Sequence, residues 1–200
     1  MNNTINYYNK NAKDYFDSTV NADMSDVYQK FLKYLPKHAY ILDIGCGSGR
    51  DSKFFLSQRY KVEAIDGSEE LCQLASEYIG QKVNNIKFNE LDYEDMFDGI
   101  WACASLLHVK KEEIEDVIRR LYKALKHNGV FYVSFKYGES DRIQGERYFN
   151  DMNESSVKEL LKGFEIMELW LSDDVRPERS DRWINIICEK KAWFISRTNE

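Results

Sequence analysis

Proline is nearly missing from this 200-residue chain, occurring only at Pro36 and Pro177. No proline-rich linker, low-complexity tract or internal repeat divides the sequence, and its length suits one domain with one substantial core. Cysteine is sparse too. Cys46, Cys72, Cys103 and Cys188 stand far apart with no C-x-x-C pair. That spacing excludes a zinc-ribbon pattern and a small disulfide scaffold, and suits reduced thiols in a cytoplasm. No cluster of metal-ligating residue types is present, so no metal is expected. Long apolar runs are absent: none approaches the roughly 20 residues of a membrane-spanning helix. The opening MNNTINYYNKNAKDYF has no basic segment followed by an apolar core, so it does not read as a signal peptide. Positive charge is in deficit, with 28 Lys and Arg against 34 Asp and Glu and a net charge of −6. That balance argues against a broad, sequence-independent grip on nucleic acid phosphates.

What the chain does contain is an alternation of apolar runs and amphipathic segments. The first 35 residues are polar and aromatic and predict two helices, the second capped by Ser25 and stopped at Pro36. Strands are expected at Tyr40–Ile44, Lys61–Asp66, Asn85–Leu91, Gly99–Ala104 and Val130–Phe135. Between them fall helices at Asp51–Gln58, from Ser68 to a Gly80 stop, and over Lys111–Lys126, the last closed by Asn128–Gly129. A polar loop of about fifteen residues, a helix over Ser155–Leu161 and two strands at Phe164–Leu171 and Trp183–Glu189 complete the pattern. Strands alternating with helices imply right-handed crossovers. The expected fold is α/β and Rossmann-like: a seven-stranded, mostly parallel sheet with an antiparallel terminal strand, helices on both faces and an N-terminal helical lid. Residues 1–200 form one domain in this reading. A cap covers 1–36, a binding core 37–137, and substrate-side loops and edge strands 138–200.

The chemistry concentrates in LDIGCGSGRD, residues 42–51. In an open α/β sheet, ligands bind beyond the carboxyl ends of the strands, where the first strand turns into its helix. Gly45, Gly47 and Gly49 stand at that turn, where glycine permits positive φ and close approach of a ligand to the backbone. Asp66 ends the second strand 23 residues after Asp43, placed to accept from both hydroxyls of an adenosine ribose. Those two features also suit NAD. The dinucleotide fingerprint, however, requires a third glycine where this chain has Arg50, and the acid at Asp43 repels phosphate while suiting a cationic ligand end.

At these residues the chain resembles the class I S-adenosylmethionine-dependent methyltransferases. The similarity covers Tyr40 to Lys136 through LDIGCGSG, AIDGSEEL, NELDYEDMFDGIWACASLLH and LKHNGVFYVSFK. GCGSGRDS and the late DDV give a further, fainter similarity to tellurite-resistance and thiopurine-type enzymes, which methylate small molecules. The resemblance implies S-adenosylmethionine as cofactor and S-adenosylhomocysteine as product. It implies that Gly45, Cys46, Gly47, Gly49 and Arg50 wrap the methionyl and ribose region, with Asp43 toward the ammonium. Asp66 would take the ribose, and Gly67 and Ser68 would lie beside the adenine. Asp92 would accept from the adenine amino group between Leu91 and Tyr93, and the backbone at Ala104 and Ser105 would close the methionyl side.

On the acceptor side, His108 is the candidate base or orienter, since imidazole titrates near neutral pH. Tyr8 and Tyr15, on the helix expected to lie over the cofactor as a lid, join it as catalytic candidates. Tyr137, Arg142, Arg147 and Arg176 sit on loops expected at the mouth and suggest an anionic substrate. Carboxylates nearby in sequence offer ordinary ion pairing as the rival explanation. His38 and His127 are expected to face solvent. The stretch ACASLLH lacks the motif of amino-methylating nucleic acid enzymes, and Cys103, not preceded by proline or threonine, is expected in the core. The expected activity is methyl transfer to a small-molecule O, S or N acceptor by a monomer or homodimer. Its rivals are tRNA or protein methylation, a non-catalytic S-adenosylmethionine-binding module and an NAD-dependent oxidoreductase.

Overall fold

A computed structural model describes residues 2–176 and 179–191; Pro177 lies outside them. Three helices open the chain, α1 (Asn2–Lys10), α2 (Ala12–Thr19) and α3 (Ser25–Leu32), where the sequence pattern predicted two. The start of α3 also differs from expectation. Met24 occupies the cap position, while the Asp23 carboxylate accepts from the backbone N–H of Ser25.

The core then alternates β1 (Tyr40–Ile44), α4 (Arg50–Ser57), β2 (Lys61–Asp66), α5 (Glu69–Ile79), β3 (Asn84–Asn85), β4 (Phe97–Ala102), α6 (Lys111–Ala124) and β5 (Leu125–Lys136). The Ser68 hydroxyl caps α5 by accepting from Leu71 N–H at 3.2 Å, and Gly80 closes it at φ 73°, both as expected. The segment expected as a strand at Asn85–Leu91 pairs over two residues only and then coils into a short 3-10 turn at Phe88–Glu90. That stretch lacks the β-branched alternation that would hold it in a ladder. Asn128–Gly129 does not end α6 but lies inside the longer β5. In place of the polar loop, β6 (Asp141–Gln144) and β7 (Arg147–Asn150) form a separate two-stranded hairpin. After α7 (Glu154–Leu160) come β8 (Phe164–Asp173) and β9 (Arg182–Lys190).

The seven-stranded sheet runs in the order β3-β2-β1-β4-β5-β9-β8. Strands β1 to β5 pair parallel, and β9 enters antiparallel between β5 and the edge strand β8. The expected class is borne out, with the reversed strand one place in from the edge. Successive residues of β1 serve opposite faces. Ile41 joins Phe31, Phe55 and Trp101 under α3 and α4, whereas Leu42 and Ile44 join Val117 and Leu121 of α6. A parallel strand covered on both sides must be apolar on both sides, which is why YILDI shows no alternation. The chain runs outward from β1 through β2 to β3 and then returns to place β4 on the other side of β1, so it reverses its direction of crossover between β1 and β4. The crevice above that switch point is where the site forms.

Candidate active site

At the end of β1 the backbone enters the left-handed region at Gly45 (φ 70°) and Gly47 (φ 56°). A Cβ on Gly45 would come within 2.6 Å of Ser105 Cβ, and one on Gly47 within 3.0 Å of the Tyr15 ring. Both glycines therefore hold space at the cavity. Gly49 (φ 77°) does something else, since its missing Cβ admits Ile79 and Ala75 of α5. Asp66, at the end of β2, accepts from Gly47 N–H at 3.0 Å and from Ser68 N–H at 2.8 Å. Burial pushes its carboxyl up, against these backbone donors.

The lid is α1 and α2. Asn9 Oδ1 accepts from the Ser68 hydroxyl at 2.7 Å, and Thr4 Oγ1 accepts from Tyr148 N–H at 3.2 Å. Helix α1 thus bridges the β2 turn and the β6–β7 hairpin. Beneath it lies a narrow cavity lined by Ile5, Gly45, Gly47, Asp66, Gly67, Ser68, Phe88 and Ser105 among others. The Ser105 hydroxyl is buried there without a hydrogen-bond partner among the described residues.

A second, wider cleft of about 670 Å³ opens beside it, between α2–α3, the hairpin and the ends of β5, β8 and β9. The two spaces share Tyr8, Tyr15, Gly45, Ala104 and His108. Ala104 holds this junction at φ 51°, an uncommon conformation for a residue with a Cβ. Its N–H donates to Ser134 Oγ at 2.9 Å. His108 Nδ1 donates to the Tyr148 carbonyl at 2.7 Å, which leaves Nε2 as an acceptor for the Tyr8 hydroxyl at 2.8 Å. Burial, with Arg147 and Lys136 nearby, depresses His108 to about 4, so the ring is neutral at physiological pH. Burial raises Tyr8, with Arg147 opposing.

The expected site residues divide into those that meet the cavities and those that do not. Gly45, Gly47, Asp66, Gly67, Ser68, Ala104, Ser105, Tyr8, Tyr15 and His108 line the narrow cavity, and Cys46, Arg50, Arg147 and Arg176 line the wide cleft. Asp43 lies beneath the glycine turn, 2% exposed, accepting from Ser52 Oγ at 2.6 Å. Burial, with the neighbouring Asp51 charge, pushes Asp43 up to about 8.

The adenine side needs correction. The Asp92 side chain is 89% exposed beside Lys123, Leu91 is in the core, and Tyr93 donates to Glu63 at 3.3 Å. Lys87 and Phe88 stand at the cavity instead, because the 3-10 turn comes where a strand was expected. Tyr137 and Arg142 also face away from the cleft, held by Glu154 and Asp151. Cys103, expected in the core, reaches the cleft wall, with Arg50 Nη2 at 3.8 Å from its sulfur. The sequence reading missed Ile5, Lys87, Phe88 and Phe149. Only the helical periodicity that put Tyr8 on the lid hinted at Ile5, one turn before it.

The profile of the methyltransferase domain family matches residues 41–129. An uncharacterised methyltransferase of Staphylococcus carnosus is 25% identical over 157 residues, 74% of this chain and 76% of that protein. A ubiquinone biosynthesis O-methyltransferase of Rickettsia conorii is 32% identical over 101 residues. That match covers 47% of this chain but only 34% of the relative's length. The solved 1,6-didemethyltoxoflavin-N1-methyltransferase of Burkholderia thailandensis, with 1,6-didemethyltoxoflavin and S-adenosylhomocysteine bound, superposes with a TM-score of 0.76 at 23% identity. The overlap takes in 93% of this chain and 85% of that one. The family match runs from β1 into β5, the core that builds the cavity, and over residues 41–129 the chain matches a methyltransferase domain.

Proposed function

We propose that this methyltransferase works in the cytoplasm on a small-molecule O, S or N acceptor, with the donor under the lid and the acceptor in the wide cleft. The observation that carries this reading is the meeting of the two spaces at Tyr8, Tyr15, Gly45, Ala104 and His108. The narrow cavity suits S-adenosylmethionine. It offers a carboxylate at Asp66 for ribose hydroxyls, an unpartnered hydroxyl at Ser105, and a glycine cradle that any Cβ would fill. When bound, this cofactor supplies an electrophilic methyl carbon on a positive sulfur. The acceptor's lone pair would form the new bond as the carbon–sulfur bond breaks, the sulfur would keep that electron pair, and the acceptor's proton would leave to solvent through the wide cleft.

In-line displacement needs mainly position and exclusion of water. Helices α1 and α2 cover the donor, and the Tyr8 oxygen faces the junction. Because Nε2 of His108 already accepts the Tyr8 proton, the Tyr8 oxygen, with Arg147 beside it, faces the acceptor's hydroxyl, thiol or amine as a hydrogen-bond acceptor. A neutral imidazole with a depressed pKa is a poor proton sink, so His108 acts as the positioning residue and Tyr8 as the group that touches the acceptor. Among the described residues the wide cleft carries six acidic and six basic side chains. That balance favours a small acceptor over a polyanion such as tRNA.

Formation of S-adenosylhomocysteine measured against thiols, phenols, amines, carboxylic acids and tRNA tests the reading. Turnover on a small molecule is expected; turnover on tRNA alone would overturn it.

A further inference from the structure

Most cations of the wide cleft already hold an acid. Arg50 pairs with Asp51 at 2.6 Å, Arg176 with Asp174 at 2.6 Å, Lys136 with Asp181 at 2.8 Å, and Lys30 with Glu168 at 3.3 Å. Arg179 is exposed. Arg147 differs from all of these. It has no carboxylate partner among the described residues, and its Nε is buried with no hydrogen-bond acceptor. Its guanidinium is sandwiched by aromatic rings, 4.6 Å from the centre of Tyr7 and 5.1 Å from that of Phe149. It also lies against Tyr8 at the junction of the two cavities.

An orphaned guanidinium edge in a cleft is costly to keep unless a ligand completes it. Nε and one Nη of such an edge match the two oxygens of a carboxylate. The surroundings add two points. Lys136 is only 13% exposed and spans Phe149 and Trp183, at 4.9 and 6.0 Å from their ring centres. A further positive charge arrives with the sulfonium, so an anionic acceptor balances the local field. Phe149, Trp183 and Trp170 give the cleft flat apolar walls.

We propose that the methyl acceptor is an aromatic acid, and that Arg147 holds its carboxylate while Tyr8 meets its nucleophilic atom. This rests on the methyl-transfer reading above, and the two can fail separately.

Calorimetry on S-adenosylhomocysteine-loaded protein, with benzoate and its neutral counterpart benzamide as probes, tests it. In the unmodified protein benzoate should bind about tenfold or more tightly than benzamide, and Arg147→Gln should erase that preference. Affinity for S-adenosylhomocysteine should stay within about twofold in Arg147→Gln, which also reports that the variant folds. Equal or undetectable binding of the two probes, or a preference that survives in Arg147→Gln, would overturn the proposal. So would a loss of S-adenosylhomocysteine affinity in a folded Arg147→Gln, since Arg147 would then be serving the cofactor's own carboxylate. Failure of the unmodified protein to bind S-adenosylhomocysteine would instead sink the methyl-transfer reading.

Discussion

Tyr8 donates its hydroxyl proton to His108 Nε2 at 2.8 Å, and this one contact ties the lid helix to the turn that follows β4. The opposite face of the ring is held by the Tyr148 carbonyl at 2.7 Å, so the imidazole has a single tautomer with no free nitrogen. Charging it would turn Nε2 into a donor and reverse the Tyr8 bond, making the Tyr8 oxygen the acceptor.

His108 should therefore stay neutral well below its ordinary range. Nitrogen-15 NMR of the imidazole should show the Nδ1-protonated form without titration between about pH 5.5 and 8, given a value near 4. The folded value lies below the unfolded one, so the unfolded chain binds more protons in this window. The resulting stability is complete above the unfolded value near 6.5 and is lost as pH falls through about 4. Chemical denaturation of the native protein and His108→Gln across pH 4–7 should show the native protein losing more stability on acidification. A His108 resonance titrating near 6.5 would overturn this assignment.

Asp66 should control cofactor affinity. Two backbone donors fix its carboxylate at the cavity wall, leaving acceptor capacity for hydroxyls. Charge-assisted hydrogen bonds are worth about 1.5–3 kcal/mol, so Asp66→Ala should weaken S-adenosylhomocysteine binding by roughly ten- to a hundredfold. Calorimetry reads this directly, and unchanged affinity would mean that another carboxylate holds the ribose.

Asp51 should matter for folding before it matters for binding. Its carboxylate accepts from Arg50 Nε at 2.6 Å, from Trp101 Nε1 at 2.8 Å and from the Tyr28 hydroxyl, all in the interior. Burial alone would push Asp51 up, but Arg50 and these donors hold it below the usual carboxylate range. Asp51→Ala strands the Arg50 charge and should cost about 3–5 kcal/mol in urea denaturation. A loss under about 1 kcal/mol would mean that water reaches the network.

What could be read in the sequence follows the strength of each local constraint. The turn at Gly45, Gly47 and Gly49 was legible because three left-handed residues almost require glycine, and Asp66 because a strand end fixes its direction. Asp92 was misplaced because a resemblance fixes residue types but not the register of a two-residue strand running into a 3-10 turn. The β6–β7 hairpin hid in a polar stretch; its one signal was Gly145, at φ 63° in a two-residue turn. Without that hairpin, Arg147 and Arg142 looked alike. Register sends one into the cleft and the other to Asp151.

The three glycines of the turn should separate under mutation, because each excludes a different neighbour. Gly49→Ala would press its Cβ to 2.9 Å from Ile79 Cγ2 and 3.2 Å from Ala75 Cβ, inside the α4–α5 packing. Together with the left-handed backbone this should cost about 1–3 kcal/mol of stability. The protein that still folds should keep its affinity for S-adenosylhomocysteine, since no cavity surface changes. Gly45→Ala would bring its Cβ to 2.6 Å from Ser105 Cβ, across the cavity wall. That variant should lose S-adenosylhomocysteine affinity by at least about tenfold in samples that denaturation shows to be folded, because the cradle itself is filled. Gly47→Ala should fall between the two, its Cβ meeting the Tyr15 ring at 3.0 Å and lifting the lid rather than blocking the floor. Replacing Tyr15 with a smaller side chain in that background should restore part of the affinity. If Gly45→Ala and Gly49→Ala instead lose affinity to the same degree, the glycines act together on the turn's conformation and Gly45 has no separate part in shaping the cavity.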